Sequence, residues 1–438
     1  MKYFNFLLLI FLLNYSCSNS NEINENKDED IDLDLGEEIV AIDFPDKFVN
    51  QNTSLHVVLS DHNGNPLDVK TYSKVKETLK LYTQESVNDN TQFSLTFINV
   101  VNDLVYNIYV YSNLTKPMLD GGIQFKPIGY ATIGGFVNIE TQNLNIDVLN
   151  AAGTGYSMIK INNLLSGHYT SKFNEDLGSK NIFIKYVDPT DIINNSYRWM
   201  FVDNIGAISL LSENNFRTDS VNVAHLQTNV PSQLPLLTLL GYENEILYNQ
   251  ISGHQAYSDF VPAFGYGSNH YYSYANIFEK TSYSLCYSNY SLSGAGIPPA
   301  QVTVPEARVS STFSNNTLTF SGVEGFEVGR IRLDNSSLFV NIEFIFNGNS
   351  SEVTIPKIPD ALVSENIKGA INTHQLRLVQ AIAENYDTFN DYNQYINNVL
   401  KNSSPFYLSS PKRERICNSY ISHLILPVVE FPYLERFR

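Results

Sequence analysis

The sequence predicts a mainly β protein, built as several β-sandwich modules with one amphipathic helix near the C-terminus. Three observations predict it. Short runs along most of the chain alternate side chains with period two, as in "TQFSLTFINV" and "SLFVNIEFIF", and that period belongs to strands. Gly, Asn, Asp and Pro punctuate these runs, as in "DHNGNP" and "FNGNS", which suits tight hairpins. Hydrophobic residues make up 43% of the chain and charged ones only 17%, so Asn, Ser, Thr and Tyr must supply the polar surface. A length of 438 residues suggests about two to four domains.

The first element, residues 1–16, reads as a secretory signal. Lys2 supplies a positive start, and Phe4 to Leu13 is apolar apart from Asn5. A bilayer core of about 30 Å needs about 20 helical residues, so this stretch is too short to span as a mature helix. A charged start, a short apolar run and small residues after it match a cleaved leader.

The end of that leader, "NYSC", resembles the lipobox of bacterial lipoproteins, and most closely the loose form found in the Bacteroidota. Ser16 fills the small position before Cys17, whereas Asn14 and Tyr15 depart from the pattern. The resemblance implies that Cys17 becomes the mature N-terminus and is lipidated there. Several acyl chains on one residue are enough for stable anchoring. The acidic run "KDED", Lys27 to Asp30, resembles the export tag of surface lipoproteins. The expected location is thus the outer membrane, lipid-anchored and surface-exposed, with plain secretion as the alternative.

Residues 17–37 form a polar, acidic linker with no aromatic residue. Such a stretch cannot bury a core and serves as a tether. From residue 38 the grammar turns to strands, and 38–128 is expected to be a first β-sandwich. "DHNGNPL" within it resembles the D-x-x-G-x-P-L pattern of carboxypeptidase-regulatory or transthyretin-like sandwiches, with Asp61, Gly64, Pro66 and Leu67 as the matching positions. That resemblance implies a module with no catalysis of its own.

Residues 129–305 form a second β-rich region. Trp199, the only tryptophan, sits in a strand and reads as core. The segment 253–294 is dominated by Tyr, Ser and Gly. Aromatic faces stack on sugar rings, so Tyr271 and Tyr272 are the candidate glycan contacts. The same tyrosines also serve as ordinary core and edge residues of β proteins.

Residues 306–438 form a third β region. Leu378, Ile382, Tyr386, Phe389, Tyr392, Ile396 and Val399 keep three- and four-residue spacing. This spacing predicts an amphipathic helix over 374–401, stopped by Asn402 and Pro405.

Charge narrows the partners. The formal net charge is −17. A nucleic-acid partner is disfavoured, because phosphate binding relies on clustered Lys and Arg. Anionic membrane surfaces repel such a chain, so membrane contact is expected through the lipid anchor. Cys286 and Cys417 form an even pair in an oxidising compartment, either as one disulfide or as two buried thiols.

The sequence has no G-x-S-x-G nucleophile turn, no Walker A lysine and no H-E-x-x-H. "DIDLDLG" spaces carboxylates like a calcium loop, but Gly36 falls one place late and Ala41 occupies the bidentate position. His254, Asp259, His270 and Glu279 crowd the Tyr-rich segment without diagnostic spacing. Glu243 and Glu245 flank Asn244 and read as acidic surface. No catalytic residue, metal ligand or cofactor is therefore assigned. The expected role is non-enzymatic: binding, adhesion or envelope structure at the cell surface. The alternative is carbohydrate binding or processing through the Tyr-rich segment.

Overall fold

The computed structural model describes residues 36–49, 51–125, 131–142, 156–161, 164–173, 182–186, 197–202, 210–212, 216–233, 235–243, 254–255, 267–314, 316–321, 324–372, 375–401 and 412–420. The N-terminal strands are β1 (Glu37–Phe44), β2 (Thr53–Asp61), β3 (Pro66–Thr71), β4 (Glu77–Thr83), β5 (Gln92–Val101), β6 (Val105–Thr115) and β7 (Ile123–Gln124). Next come β8 (Ala131–Gln142), β9 (Tyr156–Ile161), β10 (Leu164–Phe173), β11 (Ile182–Tyr186), β12 (Arg198–Val202) and β13 (Leu210–Ser212). They are followed by β14 (Val221–Thr228), β15 (Leu236–Tyr242), β16 (His254–Gln255), β17 (Asn269–Ala275), β18 (Lys280–Cys286), β19 (Tyr290–Ala295) and β20 (Gln301–Val302). The last group is β21 (Ser310–Ser314), β22 (Thr317–Ser321), β23 (Val328–Asn335), β24 (Val340–Asn347), β25 (Glu352–Thr354), β26 (Arg377–Tyr386) and β27 (Arg413–Ser419). The α-helices among the described residues are α1 (Lys116–Leu119), α2 (Glu365–Asn372) and α3 (Tyr392–Tyr395). A π turn over Ile396–Leu400 continues α3.

The fold is mainly β and sandwich-like. A sheet of twelve strands runs in the order β16-β15-β18-β19-β27-β26-β23-β24-β6-β5-β2-β3. Neighbours are antiparallel except β24 and β6, which pair in parallel from Val340 beside Tyr106 to Ile345 beside Tyr111. The sheet draws strands from all three expected β regions. The divisions expected near residues 128 and 305 therefore do not separate one sheet from another.

Alternation along each strand gives this sheet two unlike faces. One face is largely apolar, with Thr96, Ser60 and His56 on the β2–β5 side. Val58, Ile98, Ile108, Phe344, Ile331, Ala383, Ile416, Leu292, Leu285 and Leu239 belong to one buried cluster. The three-stranded sheets β17-β14-β20 and β21-β22-β25 cover it through Leu226, Tyr272, Leu318 and Phe320. Helix α2 adds Ile367 and Ile371.

The opposite face is apolar only toward the β2–β5–β6 end. There Leu55, Val57, Leu95, Phe97, Tyr109 and Tyr111 pack under the sheet β4-β1-β7 and under Tyr392, Tyr395 and Ile396. Strands β5 and β6 are consequently buried on both faces. One polar pair links them, where the Ser94 hydroxyl donates to the Ser112 hydroxyl at 3.2 Å.

The helix expected over 374–401 is corrected. Arg377–Tyr386 is strand β26, pairing with β23 and β27. Ile382 and Tyr386 are four residues apart, a spacing that returns a side chain to the same face of a strand as well as of a helix. Helical structure begins only at Tyr392, where the Asp391 carboxylate caps the Gln394 N–H at 2.7 Å.

The D-x-x-G-x-P-L stretch is a turn docked on another part of the chain. Both Asp61 carboxylate oxygens accept from Asn65, at 2.7 Å from its backbone and 2.8 Å from its side chain. Gly64 has φ +80°, and a Cβ there would lie 2.9 Å from the Ile355 carbonyl. Its own carbonyl accepts from Lys357 N–H at 2.8 Å. Glycine is required twice over, by conformation and by close approach.

Candidate functional site

Two polar constellations stand out. The first is a buried ion network on the mixed face of the central sheet. Arg330 on β23 is fully buried. Its Nη1 donates to Glu343 Oε1 at 2.8 Å, and its Nη2 donates to the Tyr395 hydroxyl at 2.7 Å. Its Nε lies 2.9 Å from Glu384 Oε2. Arg332 Nε donates to Glu343 Oε2 at 3.1 Å, the Tyr386 hydroxyl donates to Glu384 Oε2 at 2.9 Å, and Arg415 Nε donates to Glu384 Oε1.

Register places this network. Arg332 sits opposite Glu343, and Glu384 sits opposite Arg415. Each charge is therefore carried on a strand and held by its neighbour. Burial alone would raise the Glu384 carboxyl, but Arg330, Arg415 and Arg413 outweigh it and hold the group well below the usual carboxylate range. A carboxylate locked between guanidinium groups and shut from water is ill suited to proton transfer, which needs a pKa near the working pH. The network instead ties the α3 cap to the sheet through Arg330 and Tyr395. Sequence reasoning passed over it. The signal was available as charges inside otherwise apolar strands, the two arginines of "VGRIRL" and the glutamate of "VNIEFIF".

The second constellation is the outward face of β17-β14-β20. His225 pairs with Tyr271, and Gln227 pairs with both Asn269 and Gln301. Directly paired residues share a face, so these side chains lie together, turned away from the core cluster. Tyr271 is 39% exposed, and its ring centroid lies 5.0 Å from that of His225. His225 Nε2 and Asn269 Oδ1 are 3.0 Å apart. An amide oxygen only accepts, so Nε2 carries the proton of that bond.

The two tyrosines expected to act together are separated by strand alternation. Tyr272 points inward and is 1% exposed, and burial raises its phenol. It is a core residue, and Tyr271 alone of the pair faces outward. His270 is likewise buried on the inner side, whereas Glu279 is exposed in the turn before β18. The side chain of His254 and all of Asp259 and Glu245 lie outside the described residues, as do Cys17 and the acidic run 27–30. Glu243 is half-buried at the end of β15.

Trp199 is core, as read from sequence. Its Nε1 donates to the Asp219 carbonyl at 2.9 Å, and the Arg217 guanidinium lies over its ring at 4.5 Å. Cys286 and Cys417 are free thiols, on β18 and β27 with β19 between them. Two strand spacings are about 9.6 Å, beyond the roughly 7 Å that a disulfide tolerates between Cα atoms. The two thiols are half-buried, not fully buried as the other expectation had it. Burial pushes the Cys417 thiol up to about 12. Among the described residues no three His, Cys, Asp or Glu side chains converge to hold a metal ion, and no helix is long and apolar enough to cross a membrane.

No protein-family model matches the chain, and no curated protein sequence matches it.

Proposed function

We propose that the chain is a lipid-anchored protein of the outer-membrane surface that binds a partner and carries no catalytic activity of its own. Cys17 is the lipid acceptor and residues 17–35 are the tether, which ends earlier than the expected residue 37 because Glu37 already belongs to β1. The observation that carries the binding role is the outward face of β17-β14-β20. It presents one aromatic ring, one imidazole and three amides on a sheet whose other side is locked into the core. A rigid scaffold under exposed polar and aromatic groups preorganises binding. The buried ion network supports the reading from the other direction, because its two carboxylates are committed to arginines.

Mass analysis of the mature N-terminus tests the anchor. The expected terminus is Cys17 carrying acyl chains, with Cys17→Ala released from the membrane fraction. An unmodified terminus beginning at Ser18 or later would remove the anchor from the account. Carbohydrate binding is the second reading, and the pairing of Tyr271 with His225 favours it.

A further inference from the structure

We propose that the outward face of β17-β14-β20, centred on Tyr271 and His225, binds a neutral saccharide chain. The inference rests on the binding role given above and names its ligand class.

Chemistry selects the ligand. The exposed and half-exposed outward positions of this face are Val223, His225, Gln227, Asn269, Tyr271 and Gln301, and none is Asp, Glu, Lys or Arg; at its other end Ser273 is buried and Val221 and Ala275 pack with Trp199. Phosphate backbones and acidic polymers need cationic partners, so a charged polymer finds nothing here. The Tyr271 ring offers an apolar face with a polar tip, suited to the C–H face of a pyranose. Gln227, Asn269 and Gln301 each offer a donor and an acceptor in one plane. Sugar hydroxyls need both. The hydrogen bond between His225 and Asn269 fixes the imidazole beside the Tyr271 ring. In the neutral ring Nδ1 then keeps a lone pair for an incoming hydroxyl.

Size argues against a large partner. Three strands about 4.8 Å apart, with three outward positions on β14, two on β17 and one on β20, give a face of at most about 10 by 14 Å. A stable protein interface needs about 800 Å² per partner, several times this area. A short run of sugar rings fits it.

The test is native affinity electrophoresis of the full, detergent-solubilised chain. Gels contain pullulan, hydroxyethylcellulose, arabinoxylan or galactomannan. At least one of these neutral polysaccharides is expected to retard the protein. Tyr271→Ala should weaken that retardation about tenfold or more, as loss of a central aromatic anchor does. Tyr271→Phe should keep most of it. Phe339→Ala, which removes an exposed ring elsewhere, should behave like the wild type. No retardation in any gel, or equal retardation of Tyr271→Ala and wild type, overturns the proposal. New reducing ends released from a retarding polysaccharide would contradict the non-catalytic role while leaving the saccharide site standing. Absence of retardation with Cys17 acylated would do the reverse.

Discussion

Replacing Arg330 with Met should lower the melting temperature by about 3–4 °C. Arg330 is fully buried and joins Glu343, Glu384 and Tyr395 at 2.7–2.9 Å. Removing one partner of a buried ion network typically costs about 3–5 kcal/mol, because the remaining charges lose their compensation. Here Glu343 keeps Arg332, and Glu384 keeps Arg415 and Tyr386. The cost should therefore sit at the lower end, about 3 kcal/mol. Unfolding entropy of about 2.1 cal/mol/K per residue, over the 403 residues from Gly36 to Arg438, gives about 0.85 kcal/mol/K, hence a shift of about 3–4 °C. Arg330→Lys should be nearly as harmful, since an ammonium cannot reproduce the planar fork. Arg377→Ala is the control. It breaks an exposed pair with Asp334 and should move the midpoint by less than about 1 °C. Circular dichroism in the β band reads all three variants. Arg330→Met melting within about 1 °C of wild type, alongside Arg377→Ala, would refute the reasoning.

Acid stability should carry the signature of Glu384. Its folded pKa is depressed, so its stabilisation is complete above the unfolded value of 4.5 and is lost as pH falls toward the folded one. Glu384→Gln should then flatten the fall in melting temperature below pH 4.5; calorimetry across that range checks it, and an unchanged acid limb would contradict it. Gly64→Val should cost about 1–3 kcal/mol from its positive φ, together with the close contact at Ile355, and appears as a melting shift of the same order in °C. An aromatic disulfide reagent should modify Cys417 far more slowly in the native than in the denatured protein, because burial suppresses the Cys417 thiolate. Both should react after denaturation without reductant; a bridged pair would react in neither state.

Much of the strand content was legible from alternation. "TQFSLTFINV", "LVYNIYVYSNL" and "SLFVNIEFIF" all became strands of the central sheet. Their pairing was not legible. The parallel junction of β6 with β24 brings Asn107 beside Asn341, 234 residues apart, with a side-chain hydrogen bond of 3.1 Å, and no local pattern encodes such a partner. The misread helix has a similar cause. Ile382 and Tyr386 satisfy the periods of strand and helix equally, and only the pairing of β26 with β23 and β27 decides between them. Tyr271 and Tyr272 show what alternation could have settled: adjacent residues on one strand must face opposite sides. His225 went unnoticed because its partner lies across the sheet, 46 positions along the chain from it in Tyr271. The arginines of β23 were visible as charges in an apolar run, but their carboxylate partners became identifiable only through register.

Saturation-transfer NMR bears most directly on the binding role assigned to the Tyr271 face. The full chain in detergent is mixed with maltohexaose, cellohexaose, xylohexaose and mannohexaose. Saturating the aromatic envelope should transfer to ring C–H protons of at least one hexasaccharide with the wild type, and not with Tyr271→Ala. Transfer that persists in Tyr271→Ala, or that reaches none of the four saccharides with the wild type, would contradict the account.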